Sequence, residues 1–194
     1  MSHLSEDALN AGASCRIREE RPDDHDRVRR VQNSAFAHHE GRVGDLVDAL
    51  REGLSRSDGL SLVATDNDIV VGQVMFTRCQ LDAPQRLVDV QALSPVGVLP
   101  ARQRQGIGSM LITTGLEMLN ARGVPLVFLE GSPSYYRRFG FVAGAELDFV
   151  KPSLRIPDAA FQVKVLQSYE SWMTGTLVYS QTFWDWDLVG LRAT

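Results

Sequence analysis

The stretch Val96-Gly97-Val98-Leu99-Pro100-Ala101-Arg102-Gln103-Arg104-Gln105-Gly106-Ile107-Gly108 runs from an apolar strand, through a proline-led turn, into glycines that open a helix. The first turn of a helix leaves backbone N–H groups without intrahelical partners and carries the positive end of the helix dipole. A phosphate placed there meets several donors at once. Gly106 and Gly108 remove the side chains that would hold such a ligand away from the backbone.

The flanks give that turn its setting. Downstream, Ile107, Met110, Leu111, Thr114, Met118 and Leu119 trace one helical face between Gly106 and Ala121, and Gly123 reads as the C-terminal cap. Val124 to Glu130 is a dense apolar run suited to a buried strand parallel to the one before the helix, a β-α-β unit. Upstream, Leu87 to Val98 reads as a long strand in which Pro95 removes a ladder donor and forces a bulge or splay. Leu60 to Thr65 and Ile69 to Gln80 read as two antiparallel strands joined by a tight Asp66-Asn67-Asp68 hairpin.

Nearer the N-terminus, Cys15 to Glu19 alternates as a strand. Pro22-Asp23-Asp24 then starts a helix that presents Val28, Val31 and Ala35, with Phe36 beside them. Val43, Leu46, Val47, Leu50 and Leu54 predict a second helix. Ser132-Pro133-Ser134 can cap a short helix reaching Arg138, and a strand follows at Phe141 to Ala145. Past Glu146 the expected elements are a loop around Pro152 and Pro157 and strands at Ala160 to Leu166 and Thr176 to Ser180. The order β-α-α-β-β-β-α-β-α-β places the chain in the α/β class. Residues 1–14 read as a mobile tail. Residues 15–194 read as a single domain with a core at 15–145 and a C-terminal strand pair and tail at 146–194.

Composition narrows the function classes. A chain of 194 residues with 44% apolar and 23% charged residues has enough apolar material for one full hydrophobic core. A net charge of −4 argues against non-specific nucleic-acid binding, although Arg16, Arg18, Arg102, Arg104, Arg137 and Arg138 can still form a local basic patch for a phosphorylated ligand. The two cysteines, Cys15 and Cys79, are too few for a disulfide framework, lack metal-site spacing and read as two core thiols in a reducing compartment. No apolar run reaches membrane-spanning length and the first residues lack a signal-peptide pattern, so the expected location is cytoplasmic.

Several families place a phosphate at a strand-to-helix turn. A dinucleotide fingerprint needs a third glycine where Leu111 stands, and a P-loop needs a lysine that Gly108-Ser109-Met110 does not supply. The remaining pattern, Gln103-x-x-Gly106-x-Gly108 after Leu93-Ser94-Pro95-Val96-Gly97-Val98-Leu99-Pro100, resembles motif A of the GCN5-related N-acetyltransferases (GNAT). Tyr135-Tyr136-Arg137-Arg138-Phe139-Gly140-Phe141 is similar to that family's Tyr-x-x-x-Gly-Phe element. The resemblance spans roughly residues 15 to 145. With Ser132-Pro133-Ser134 and the later Thr174-Gly175-Thr176, it is greatest for a bacterial predicted-acetyltransferase subgroup whose acceptors are mostly undefined.

The resemblance implies the GNAT acyl-CoA N-acyltransferase fold: a mixed, mostly antiparallel sheet with a splayed parallel strand pair, flanked by helices. It implies acetyl-CoA as cosubstrate, no metal, and transfer of acetyl to a primary amine by direct attack in a ternary complex. The backbone of Val96, Gly97 and Val98 would hold the pantetheine arm, with an N–H facing the thioester oxygen. Gln103, mainly through its backbone N–H, and Arg104, Gln105, Gly106, Ile107, Gly108 and Ser109 would hold the pyrophosphate, with Tyr135 packing or touching the cofactor. Arg102 and Arg104 either screen phosphate charge or form a solvated face.

Tyr136 occupies the family's general-acid position; a structural tyrosine is the alternative. The base is less defined. Many relatives carry a glutamate on the strand before motif A, where this chain has Asp89, Gln91 and Ser94. Glu40, with His38 and His39, lies in the loop between the first two helices and is the candidate; solvated loop residues are the competing reading. The aromatic tail Phe183-Trp184-Asp185-Trp186, with Trp172, can line an acceptor pocket, form a homodimer contact or cap the core. The acceptor would be a small-molecule amine or a protein amino group, with no nucleic acid or membrane as partner. A non-catalytic acyl-CoA binding or sensing module is the alternative, since the strand glutamate is missing. A nucleotide-binding regulator using the same turn is a third reading.

Overall fold

In the computed structural model, residues 15–39, 41–52 and 59–190 are described. The hairpin forms as its turn chemistry requires. Asn67 and Asp68 both adopt left-handed backbone (φ 47° and 63°), the geometry whose twist matches antiparallel strands. It joins β2 (Gly59–Asp66) to β3 (Ile69–Asp82). β1 (Arg16–Glu19) pairs antiparallel with β2, and β4 (Leu87–Val98) pairs antiparallel with β3.

Between β1 and β2, a tight turn at Pro22–Asp24 leads into α1 (His25–Ala35), and α2 (Arg42–Glu52) follows. Leu54, expected to extend the second helix, lies outside the described residues. α3 (Ile107–Ala121) carries the chain from β4 to β5 (Leu126–Glu130), which lies parallel to β4. α3 ends in a Schellman arrangement: Gly123 (φ 77°) donates to Asn120 O at 3.0 Å and Val124 donates to Leu119 O at 3.1 Å.

Beyond β5 come α4 (Pro133–Tyr136), β6 (Val142–Ala143), β7 (Phe149–Val150), β8 (Phe161–Val165), β9 (Gly175–Val178) and α5 (Gln181–Asp185). The main sheet runs β1-β2-β3-β4-β5-β8-β6. The expected C-terminal strand pair does not pair with itself. β8 inserts between β5 and β6, while β9 joins β3 at Gln80–Asp82 and carries β7 on its other edge. This is an α/β fold with a mixed, mostly antiparallel sheet and one parallel pair.

Both sheet faces are covered, so β5 buries alternate residues into two cores. Leu126 and Phe128 join Val28, Val31, Leu46, Val47 and Leu50 of α1 and α2 on one face, where Phe161 and Phe183 also pack. Val127 and Leu129 join Phe76, Leu111, Ile112 and Leu119 on the α3 face.

The buried stripe of α3 differs from the one its periodicity suggests. Ile107, Leu111 and Leu119 are buried as expected, but Ile112, Gly115 and Leu116 complete the stripe, and Met110 is 38% exposed. Gly115 explains the rotation. A Cβ there would lie 2.2 Å from Cε2 of the fully buried Phe76, so the missing side chain lets the ring enter the helix face.

Gly115→Ala is therefore expected to destabilise the fold by about 1–3 kcal/mol through overpacking, despite alanine's better helix propensity. A lowered urea midpoint with an unchanged m-value is the outcome to look for.

Candidate active site

β4 and β5 pair at only two positions, Gln91↔Val127 and Ala92↔Phe128. On its other edge β4 stays bonded to β3 as far as Val98. The β3 register shifts between Val74 and Phe76, which face Val96 and Leu93, so Ser94 and Pro95 stand opposite Met75 alone. That is the bulge expected at Pro95, and beyond it the β5-side edge of β4 has no strand partner among the described residues. Gly97 is needed beneath the bulge: a Cβ there would lie 2.5 Å from Oε1 of the buried Gln32 on α1.

The chain then reverses at the turn. Arg104 (φ 61°) and Gly106 (φ 82°) both take left-handed backbone, and Gly106 is the N-cap of α3. The first helical bond of this turn runs from Met110 N to Gly106 O at 3.0 Å, which leaves the amides of Ile107, Gly108 and Ser109 as free first-turn donors. Tyr135 covers them from α4, its hydroxyl 3.2 Å from where a Gly108 Cβ would sit. Val96, Val98, Gln103, Arg104, Gly106, Ile107, Gly108, Ser109, Tyr135 and Tyr136 all line one open groove of about 650 Å3.

Two expectations about this turn change. The Gln103 backbone N–H is directed to Pro100 O at 3.3 Å, and its side chain donates to Val98 O at 3.0 Å. Gln103 therefore ties the end of β4 to the turn, and its backbone N–H, the group expected to face a ligand, is directed within the turn. Gln105 turns its side chain to Arg102 and to Ala101 O. Arg102 is ion-paired with Asp66, whereas Arg104 carries no ion pair among the described residues. Arg138 stacks its guanidinium 4.6 Å from the Tyr135 ring centroid and also lines the groove.

A second hollow, about 310 Å3, opens on the other side of the splay. Val96 and Tyr136 line both spaces. The Tyr136 ring packs edge-on against Tyr135 and Phe141. Its hydroxyl makes no hydrogen bond among the described residues, and burial pushes its pKa up to about 12. Ser132, expected to cap α4 by its hydroxyl, instead pairs that hydroxyl with Ser134, while its carbonyl accepts from Tyr135 N and Tyr136 N.

Glu130 is the residue that the sequence reading passed over. Strand alternation places it on the same face as Leu126 and Phe128, where β4 has diverged, so it looks into the second hollow. The Tyr179 hydroxyl donates to its Oε1 at 3.0 Å and Gly190 N–H donates to its Oε2 at 3.1 Å. Burial raises the Glu130 carboxyl above its ordinary value, with these two hydrogen bonds and the Arg155 charge opposing the rise. Burial and the Glu130 charge raise the Tyr179 phenol well above its usual value. The available signal was a single charged residue ending an otherwise apolar strand, Leu126-Val127-Phe128-Leu129-Glu130.

Glu40 lies outside the described residues, and His38 is exposed near Phe36. The flanks of that loop, Phe36, Arg42 and Val43, do line the second hollow. Within the aromatic tail, Phe183 lines it, Trp184 is exposed, Trp186 packs on the core and Trp172 sits under Arg86. No trio of His, Cys, Asp or Glu side chains suited to a metal occurs among the described residues, and no described helix is long and apolar enough to cross a membrane.

Comparison with known proteins bears on this geometry. Residues 16–144 match the acetyltransferase (GNAT) domain family. The chain belongs to the GNAT family. It is 36% identical over 114 residues to YjhQ, an uncharacterized N-acetyltransferase of Escherichia coli; the match covers 59% of this chain and 62% of that relative, just under two thirds of its length. It is 33% identical over 135 residues to YhbS, another uncharacterized N-acetyltransferase of that organism, covering 66% of this chain and 78% of the relative.

The crystal structure of YhbS in complex with CoA superposes on this GNAT chain with a TM-score of 0.76 at 29% identity, covering 87% of this chain and 91% of that one. A GNAT acetyltransferase from Brucella melitensis in complex with acetyl-CoA gives a TM-score of 0.70 at 33% identity, covering 88% and 99%. The GNAT fold expected from the sequence is the fold found.

Gly108→Glu would set a carboxylate against both the Tyr135 hydroxyl and any phosphate at the α3 N-terminus. CoA affinity measured by calorimetry is expected to fall by roughly 100-fold or more, about 2.7 kcal/mol, with thermal stability of the free protein little changed.

Proposed function

We propose that the protein transfers acetyl from acetyl-CoA to a primary amine by direct attack in a ternary complex, the groove taking the cofactor and the second hollow the amine. The observation that carries this reading is the shared wall: Val96 and Tyr136 border both spaces, so a thioester at the junction is reached from either side. The open β4 edge offers main-chain N–H and C=O groups to an amide-containing arm. The α3 turn, with Arg104 and Arg138 beside it, supplies donors and positive charge to a pyrophosphate. The relatives crystallised with CoA and acetyl-CoA support the choice of cosubstrate.

Three groups then divide the chemistry. Glu130 takes one proton from the incoming ammonium. A buried site raises a carboxyl and lowers an ammonium, which narrows the gap that makes this transfer unfavourable in water. The freed nitrogen attacks the thioester carbon, an N–C bond forms, and a β4 backbone N–H faces the oxygen as charge develops on it. As the C–S bond breaks, the Tyr136 hydroxyl gives its proton to the sulfur and recovers one from the nitrogen. The products are an N-acetyl amide, CoA thiol and one proton released through Glu130.

With a phenol near 12 and a thiol near 8.5, complete proton transfer to the free thiolate after C–S cleavage would be uphill by about 5 kcal/mol if it left a phenolate behind. Tyr136 therefore donates in concert with cleavage. Glu130, present at the hollow, takes the role assigned from sequence to Glu40.

An acceptor screen with acetyl-CoA, read by thiol release and product mass, tests the reading. Cofactor binding with no turnover on a broad amine panel would favour the binding-module alternative. Tyr136→Phe keeps every ring contact and removes only the hydroxyl, so kcat is expected to fall about 100-fold or more while CoA affinity stays within twofold. An unchanged kcat under chemistry-limited conditions would remove Tyr136 from the acid role.

The pH dependence follows from the raised Glu130 carboxyl. Its ionised form is the active one, so the rate is lost as pH falls through a value above the ordinary glutamate pKa of about 4.3. Glu130→Gln is expected to lower kcat/KM by about 100-fold or more and to abolish that acidic limb in the pH–rate profile.

A further inference from the structure

Resting on the acetyltransferase reading, we infer that the acceptor is a small molecule bearing a single amino group on a ring-containing apolar body, docked ammonium-first on Glu130. The hollow of about 310 Å3 is at the lower end of the range for small-molecule sites. Its walls are mainly Phe36, Leu46, Pro95, Leu129, Phe183 and Leu188. With Tyr136 and Tyr179 they present four aromatic rings, whose faces and edges suit another ring better than a thin polymethylene stem.

Glu130 is the only acidic side chain among the described residues that lines the hollow. Each of its oxygens already accepts one hydrogen bond, from Tyr179 and from Gly190, and retains capacity for one more, enough for a single ammonium. A second cationic centre would give up its hydration with no further anion among the described lining residues to receive it. It would also meet Arg42, the one basic residue of the lining among the described residues, which is exposed at the start of α2. Polyamines and multiply charged amino sugars are disfavoured on both counts.

The test is binding to the CoA-loaded protein, measured by calorimetry with 2-phenylethylamine, 2-phenylethanol, spermidine and Nα-acetyl-lysinamide. We expect 2-phenylethylamine to bind at least tenfold more tightly than each of the other three. Glu130→Gln should abolish the preference for the amine over the alcohol while CoA affinity stays unchanged. Arg42→Glu, at an exposed position, should shift the ratio at least tenfold towards spermidine and serves where the Glu130 variant fails to fold.

Equal or tighter binding of spermidine or Nα-acetyl-lysinamide, undetectable 2-phenylethylamine, or an amine preference that survives in Glu130→Gln each overturns the inference. Thiol release is read separately with the same amines among a broad panel. Preferential 2-phenylethylamine binding with no CoA released from acetyl-CoA by any amine of that panel would count against the transferase reading and leave the docking chemistry standing.

Discussion

The molecule depends on β4 being bonded along one edge and released along the other. On the β3 side its ladder continues to Val98, and Leu99 N still reaches Val71 O at 2.9 Å. On the β5 side it stops after Ala92. Pro95 supplies no N–H, and the two-against-one bulge turns the following residues out of register with a parallel neighbour. Were β4 paired to its end, the groove and the hollow would both close. The divergence survives because the two cores clamp the strands from opposite faces, α1 and α2 on one side and α3 on the other. Gly97 admits the Gln32 side chain, which donates to Gln73 on β3 and ties α1 to the sheet at the point of release.

Glu130 carries a conflict between stability and its proposed chemistry. Its folded-state pKa is raised, so its favourable contribution to folding is fully present below the unfolded-state pKa and is lost as pH rises through the folded one. The ionised form of the carboxyl is therefore held against its surroundings. The C-terminal segment reduces that cost: Tyr179 and Gly190 each direct a donor at one oxygen, and Phe183 and Val189 bury themselves in the core beside it. The same segment walls the hollow through Tyr179, Phe183 and Leu188, so holding the carboxylate in place and shaping the hollow are done by one stretch of chain.

Local rules made the hairpin, the β-α-β unit and the Gly106–Ser109 turn readable, because each is determined within a few residues: two left-handed turn residues, a proline in a strand, a glycine at a helix start. What could not be read required knowing what lies opposite. The α3 stripe was displaced by the ring of Phe76, a residue distant in sequence that enters at Gly115. β8 and β9 were recognisable as strands, but their partners, β5 with β6 and β3 with β7, are set by long-range packing. Arg102 and Arg104 looked equivalent until Asp66, at the end of β2, took the first. Glu130 resembled a strand terminus and nothing more, because its meaning depends on the divergence of β4 and on donors from the far end of the chain.

The proposed acid and base belong to one short unit, which also lines part of the groove, and the groove's β4 and α3 walls belong to another. Glu130 ends β5, Gly131 turns the chain, and Ser132 O accepts the amides of Tyr135 and Tyr136 at 3.0 and 3.1 Å. Gly131 is required there: a Cβ would lie 2.4 Å from Cε2 of Tyr136, so the absence of a side chain seats the phenol against the strand end. The relation of Tyr136 to Glu130 is thereby fixed locally. The open β4 edge and the α3 turn belong to the preceding strand-helix unit, and the paired positions Gln91–Ala92 and Val127–Phe128 are the only ladder contact between β4 and β5. A change in the splay would therefore move acid and base together relative to the thioester. It would alter the alignment of attack while leaving the proton-transfer pair intact.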